Sequence, residues 1–435
     1  MPDFSFAVRA LRARNYRLFF AGQSISLIGT WMTRIASGWL MYRLTNSALL
    51  LGLAGFIGQI PAFVLGPFVG VWIDRWDRHR VLVITQALSM IQSFALAYLA
   101  IAGIITEWEI IWLSLFQGLI NAIDMPARQS FVVQMVERKE DLGNAIALNS
   151  SMVNAARLVG PAIAGMLIAG VGEGYCFLTD GISYIAVIVS LLMMRITVPQ
   201  VRRPRRRVMH ELAEGWHYVT GSLPIRSILL NLALVSLAGM PYTTLMPIFA
   251  SEVLHGGAHT LGFLMASTGI GALLGSVQLA LRRSVVGLGS RIVITTALFG
   301  VSLVAFGLSH SFWASMLILP VVGFGMMQQM ASSNTILQTI VDDEKRGRVM
   351  AFYSMSFQGM TPFGSLFAGE LASRIGAPWT VVVSGILCVA AGVWFGFTLP
   401  SIRTVVRPIY ERLGILPELA MGVEQAAELK QPQAT

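Results

Sequence analysis

Between Gly118 and Gly165 the chain reads GLINAIDMPARQSFVVQMVERKEDLGNAIALNSSMVNAARLVGPAIAG. The helices in this stretch are apolar and of membrane-crossing length, yet they carry Asp124, Arg128 and Arg157. Charge inside a membrane helix is costly, usually faces an internal cavity, and marks the path of a substrate or ion.

Composition extends that reading to the whole chain. The 435 residues are 55% hydrophobic and 12% charged, with a mean hydropathy of +0.68, more apolar than a soluble core requires. An integral membrane protein is expected. A helix crosses the hydrocarbon layer with about 20 apolar residues, and about twelve such segments can be counted. They begin near Leu18, Ser47, Val81, Trp108, Leu142, Tyr175, Ile225, Thr260, Arg291, Phe312, Gly347 and Trp379. The first, Leu18 to Tyr42, is too long for a signal-peptide core and is expected to remain as a membrane helix. Cys176 and Cys388 lie in hydrophobic stretches without metal-ligand spacing, which predicts packed thiols and no disulfide framework.

The net charge of +9 is informative through its distribution. Roughly 26 of the 31 Lys and Arg fall at the N-terminus, in alternate loops, or after the last segment, as the positive-inside rule requires of a cytoplasmic side. Basic runs occur at Arg9, Arg12, Arg14 and Arg17, at Arg75, Arg78 and Arg80, and at Arg202, Arg203, Arg205, Arg206 and Arg207. Both termini are therefore expected in the cytoplasm. Topology accounts for the last run, so no nucleic-acid partner is expected.

Residues 199–224 form the long polar stretch between segments and divide the chain into six helices (1–198) and six (225–400), with a tail at 401–435. Within this linker HELAEGWHYVTG is amphipathic and suits a helix lying on the inner membrane surface. The halves repeat one another. Gln134, Glu140, Gly143, Ala147, Ser150, Gly160 and Gly165 match Gln338, Glu344, Gly347, Ala351, Ser354, Gly364 and Gly369, while Gly66 and Gly70 match Gly271 and Gly275. The latter are GxxxG pairs that permit close helix approach. The expected fold is all-α, with twelve membrane helices in two parallel six-helix repeats and a site at their interface.

Polar residues three or four apart share a helix face. Such stripes occur at Gln23, Ser26, Thr30, Arg34 and Ser37, at Gln117, Asn121, Asp124 and Arg128, at Ser150, Asn154 and Arg157, and at Gln328, Ser332 and Thr335. They are expected to line the cavity. Arg34 and Arg157 lie about 20–25 Å along their helices from the cytoplasmic side. They suit an anion there, or pair with acids or reach the outer interface. The acids available to carry a proton are Asp124, Asp180 and Glu370, of which Asp124 or Glu370 is expected to exchange it. All six histidines fall outside the predicted spans. No P-loop, HExxH or nucleophile elbow is present, which argues against an enzyme or an ATP-driven pump; no metal or cofactor is called for.

Gly70-Val-Trp-Ile-Asp74-Arg75-Trp-Asp77-Arg78-His79-Arg80 resembles motif A of the major facilitator superfamily. The resemblance implies that Asp74 and Arg78 make the gating charge contacts at the cytoplasmic end of the second helix, with Asp124 of the fourth helix as a further partner and Gly70, Arg75 and Arg80 in the same gating motif, although Asp77 stands where the family usually has Gly. Gly160-Pro161-Ala-Ile-Ala164-Gly165 resembles motif C, which the superfamily associates with exporters. Gln117-Gly118 fits the end of motif B, with Ser114 in the place of its Arg. DMPARQ from Asp124, RGRVMAFYSM from Arg346, GMTPFGSLFAGELA from Gly359 and the tail VRPIYERLGILPE are similar to the secretion-effector branch, which includes the enterobactin exporter. That branch implies a monomeric exporter in a bacterial inner membrane, working by alternating access on a siderophore, drug or related small molecule, with protons and membrane lipid as its other partners. A flippase for lysophospholipid and a non-transporting sensor or scaffold stand as alternatives.

Overall fold

A computed structural model describes residues 9–73, 76–136, 138–195, 208–282 and 284–415, the side chains at 67, 70, 71, 139, 208–212 and 343 excepted. The described chain is almost wholly helical. In order, α1 is Arg14–Thr45, α2 Ala48–Ile73, α3 Arg78–Ile101, α4 Glu107–Met135, α5 Leu142–Val171 and α6 Glu173–Leu192. A short helix, α7 (Val208–Gly221), precedes α8 (Leu223–Ala238) and α9 (Tyr242–Ile248), which runs on through a π-helical turn at Phe249–Val253. Then come α10 (Ala258–Ala280), α11 (Leu288–Gly307), α12 (Phe312–Ile340), α13 (Asp343–Ser354), a second π-helical turn at Met355–Gly359, α14 (Thr361–Ile375) and α15 (Ala377–Arg412).

Among the described residues ten helices are long and apolar enough to cross a membrane, counting 223–253 as one. The twelve-span expectation falls short at two places. The middle of helix α1 is diluted by Arg34 and by the polar residues Gln23, Ser24, Ser26, Thr30 and Thr33, and the run from α13 to α14 is interrupted by its π-helical turn.

Local chemistry sets the helix ends. Thr106 and Glu109 form a reciprocal capping box at the start of α4. The Asp77 carboxylate accepts from the backbone N–H groups of His79 (3.0 Å) and Arg80 (3.4 Å), capping α3. Single glycines at positive φ, Gly172 (95°) and Gly376 (85°), join α5 to α6 and α14 to α15. They occupy matching places in the two halves, where a side chain would be strained.

Among the described residues, the basic stretches at the start of α1 and of α3 gather at one end of the bundle. There Arg9 pairs with Asp141 at 3.0 Å, Asn15 exchanges hydrogen bonds with the Arg195 backbone, and the His79 ring meets the Leu191 carbonyl at 2.8 Å. At this end α7 docks on α13: Glu214 pairs with Arg348 at 2.6 Å, Lys345 Nζ sits 4.4 Å from the Tyr218 ring centroid, and Gly215 packs on Phe352. The opposite end carries the Arg43–Glu173 pair at 2.8 Å.

Helices α1–α6 pack mainly with one another, as do α8–α15, and the two sets meet chiefly where α5 crosses α10 and α2 crosses α14. Both crossings are glycine on glycine. A Cβ on Gly165 would lie 2.9 Å from Gly262 Cα, and one on Gly52 would lie 2.8 Å from Gly369 Cα. The apolar core reflects this arrangement. One cluster, including Met32, Phe177, Tyr242 and Phe306, draws on both halves. Toward the basic end it gives way to separate cores, one around Tyr16 and Phe131 in the first half and one around Leu337 and Phe395 in the second.

The expected GxxxG contacts hold in one half. Gly271 meets Pro320 of α12 and Gly275 meets Phe324, whereas a Cβ at Gly66 would meet nothing within 4 Å. Pro61 and Pro67 punctuate α2 near that point, and α2 there leaves open space beside the glycine.

Candidate functional site

The polar face of α1 divides. Gln23 and Ser26 are buried, and Thr30 and Thr33 turn toward α6, where they meet Tyr184 and Asp180. These residues therefore pack inside the first half and do not line a cleft, because glycines at 22 and 29 draw α1 tightly against α6. Arg34 behaves differently. It lies in the interior, surrounded by helices, yet remains solvent-accessible, so the space beside it is a cavity.

Trp31, one turn before Arg34, organises this space. The Arg34 guanidinium carbon is 5.4 Å from the Trp31 ring centroid, and that of Arg157 on α5 is 5.3 Å from it, within the range of cation–π attraction. Gly160 makes the arrangement possible. A Cβ there would lie 2.6 Å from Trp31 Cβ, so only glycine lets α5 bring Arg157 against the indole. Tyr242 of the second half is close enough to Arg157 to interact with it electrostatically, and its buried hydroxyl lies beside the Thr268 side chain. Among the described residues neither arginine has an acidic partner within 4 Å.

The three candidate acids differ in surroundings. Asp124 is 4% exposed; its carboxylate accepts from Thr85 and Gln86, each at 2.8 Å, and from Arg128 one turn on. The carboxylate is thus fully answered inside the first half, although the Arg128 Nε is buried without a hydrogen-bond partner. Asp180 is 1% exposed and is held by the hydroxyls of Thr33 (2.8 Å) and Ser93 (2.9 Å), with Oδ1 unpartnered and no cation among the described residues. Glu370 is partly exposed near the opposite end and pairs with Arg374 on its own helix at 2.5 Å.

Along α4, Gln117 donates to Ser89 (3.2 Å) and Asn121 (3.1 Å). Asn121 is exposed, while Gln117 and Asn154 are half-buried. In the second half Gln328 and Ser332 are fully buried and lie inside that half, away from a cleft. Gln328 donates to the Gly275 carbonyl (2.8 Å) and to Gln278 (2.7 Å), and accepts from Arg291 at 3.0 Å. Thr335 is spent on the Ala331 carbonyl. Gln86 and Asp124 thus match Arg291 and Gln328 in the internal repeat, with the charge moved to the other helix and reversed in sign.

Of the motif A residues, Gly70 lies in α2, Arg78 begins α3, and Arg80 forms an exposed 3.4 Å contact with Asp77. Asp74 and Arg75 lie outside the described residues. Motif C serves two interfaces, with Gly160 at α1 and both buried Pro161 and Gly165 at α10. Trp31 and Tyr242 were not anticipated. Trp31 could have been found from its spacing, since it shares a helix face with Arg34; Tyr242 carried no local signal.

The sequence pattern described as transmembrane secretion effector matches residues 5–411. The chain belongs to that family. It is a transporter of the major facilitator superfamily and not an enzyme. This secretion-effector transporter is 25% identical to the staphyloferrin A transporter of Staphylococcus aureus over 383 residues, covering 88% of this chain and 95% of that one. It is 24% identical to macrolide efflux protein A of Streptococcus pyogenes, covering 86% and 95%. Its fold is similar to that of a bacterial homologue of the human lysosomal transporter Spinster in an inward-facing, unoccupied conformation, with a TM-score of 0.67, 14% identity, and coverage of 92% and 98%.

Proposed function

We propose that this protein is a secondary exporter of a small molecule, built of twelve membrane helices in two six-helix halves and working by alternating access in a bacterial inner membrane. Helix α1 and the α13–α14 run are the eleventh and twelfth spans in this reading, and both termini are cytoplasmic. The observation that carries it is the division of the core. A single apolar cluster ties the halves together at one end, whereas separate cores face the basic end. Two rigid halves that meet at one end and part at the other leave a cleft reaching the midplane, where such transporters hold their cargo. Arg34, Arg157 and Asn121 belong to that cleft. The relatives named for efflux and for a siderophore support an outward small-molecule cargo.

Proton entry drives the cycle, and geometry favours Asp180 as the carrier. Asp124 already has Arg128 and two neutral donors, and Glu370 sits at the surface with Arg374, which moves onto Asp180 the coupling role expected of them. A carboxylate held only by hydroxyls lacks a permanent counter-charge. Thr33, which holds it, directly precedes Arg34 in the cleft.

The test is flux into inside-out vesicles under an imposed proton gradient, using a panel of catecholate siderophores, dyes and lysolipids. Wild type is expected to move at least one compound in a gradient-dependent way. Asp180→Asn is expected to keep its melting temperature and downhill flux but lose the gradient dependence. Unaltered coupling in that variant would remove Asp180 from the mechanism. Gradient-independent movement of lysolipid would point to a flippase, and no flux of any compound to a scaffold.

A further inference from the structure

The cluster of Trp31, Arg34, Arg157 and Tyr242 is electrostatically incomplete. Two guanidinium centres, each within 5.4 Å of one indole centroid, stand no more than about 11 Å apart. Each lies deep inside the bundle. They repel one another, and among the described residues no carboxylate answers either. The Arg157 Nε is buried without a hydrogen-bond partner, and beside it stands the hydroxyl of Tyr242, a residue 1% exposed whose oxygen has the Thr268 side chain as neighbour. Structural arginines inside a protein are ordinarily paired. Here the pairing is left open on one side of a cavity, and the donors come from both halves of the molecule.

The donor set is specific in kind. Arginine presents a planar fork suited to carboxylate and related oxyanions, and a phenolic hydroxyl adds one neutral donor. No acceptor in the cluster is charged, so a cationic ligand would be repelled. Because both guanidiniums rest on one indole, a ligand neutralising only one would leave the other uncompensated.

We propose that this cluster is the cargo site and that the cargo is an oligo-anionic compound bearing at least two carboxylates or equivalent oxyanions. Trp31 positions both arginines, and Tyr242 reports occupancy to the second half. This assignment rests on the exporter reading above and names the class of its cargo.

The experiment uses the full chain in lipid nanodiscs, with citrate as the multivalent probe, acetate as the monovalent probe and tetraphenylphosphonium as the cation. Binding is followed by calorimetry and by thermal melting. Citrate is expected to bind and raise the melting temperature, acetate to bind at least tenfold more weakly, and the cation to have no effect. Arg34→Gln and Arg157→Gln should each weaken citrate at least tenfold. Each should also raise the melting temperature of the ligand-free protein, since a repulsion is removed; a merely structural arginine would lower it. Trp31→Phe, which keeps a ring at that position, should weaken citrate while leaving the fold intact. Absence of citrate binding to wild type, equal binding by both arginine variants, or preference for the cation would overturn the proposal. Vesicle flux of some other compound would survive any of these, so the exporter reading can stand where the cargo class falls.

Discussion

Among the described residues Arg128 has one carboxylate to answer it, and removing that charge strands a cation in a membrane-length helix. Breaking a fully buried pair costs about 3–5 kcal/mol. Since the Arg128 side chain is 23% exposed, we expect Asp124→Asn to cost about 2 kcal/mol, seen as an earlier thermal melt. The double variant Asp124→Asn with Arg128→Gln should recover most of the loss, because both charges then disappear. If the double variant melts as early as the single one, Asp124 is not held for its charge. Sequence spacing showed this pair, four residues apart on one helix. It could not show the environment of Asp180, whose hydroxyl donors lie 147 and 87 residues away on other helices. Nor could it show that Gln328 is sequestered with Arg291, for the same reason: a polar stripe fixes which residues share a face, and only packing decides what that face meets.

Helix starts were legible because they depend on local chemistry, and the observed starts fall within a few residues of the apolar segments. Asp77 is an instructive exception to the motif it sits in. Read as a departure from the family pattern, it turns out to supply the cap of α3. The π-helical turns at Phe249–Val253 and Met355–Gly359 had no sequence signal. In the second of these, Ser236 of α8 donates to the Phe357 carbonyl and so ties α8 to the interrupted helix. The glycine crossings yield a prediction about how the helices move. Gly165→Val would drive a side chain into the Ala258 carbonyl and Gly262, so the α5–α10 crossing should open. Spin labels at the ends of these helices are expected to show a longer distance, and transport should fall even though the helices remain folded. An unchanged distance would mean that the crossing tolerates bulk and is not a tight pivot.

On the scale of the whole molecule, composition was enough to predict a helical membrane protein, and the motif resemblance was enough to predict its transporter family. They were silent on which end the halves share, since that depends on contacts between residues far apart in sequence. One such contact is the Tyr42 hydroxyl, which donates to Glu252 across the halves. A hydrogen bond to a charged group contributes about 1.5–3 kcal/mol, enough to shift a conformational equilibrium roughly tenfold. Tyr42→Phe and Glu252→Gln should therefore each raise the share of molecules open at that end. Double electron–electron resonance between labels on the loops before α2 and α10 would measure it. Identical distance distributions in wild type and both variants would remove this bond from the gate.

The docking of α7 on α13 has a practical consequence. Because Glu214, Gly215 and Tyr218 grip the second half, and Val219 enters its core, the connecting helix travels with that half as part of its body. A gene cut just upstream of Val208 should accordingly yield two fragments that each insert independently and find one another when produced in the same cell. A cut after Gly221 would leave α7 attached to the wrong piece.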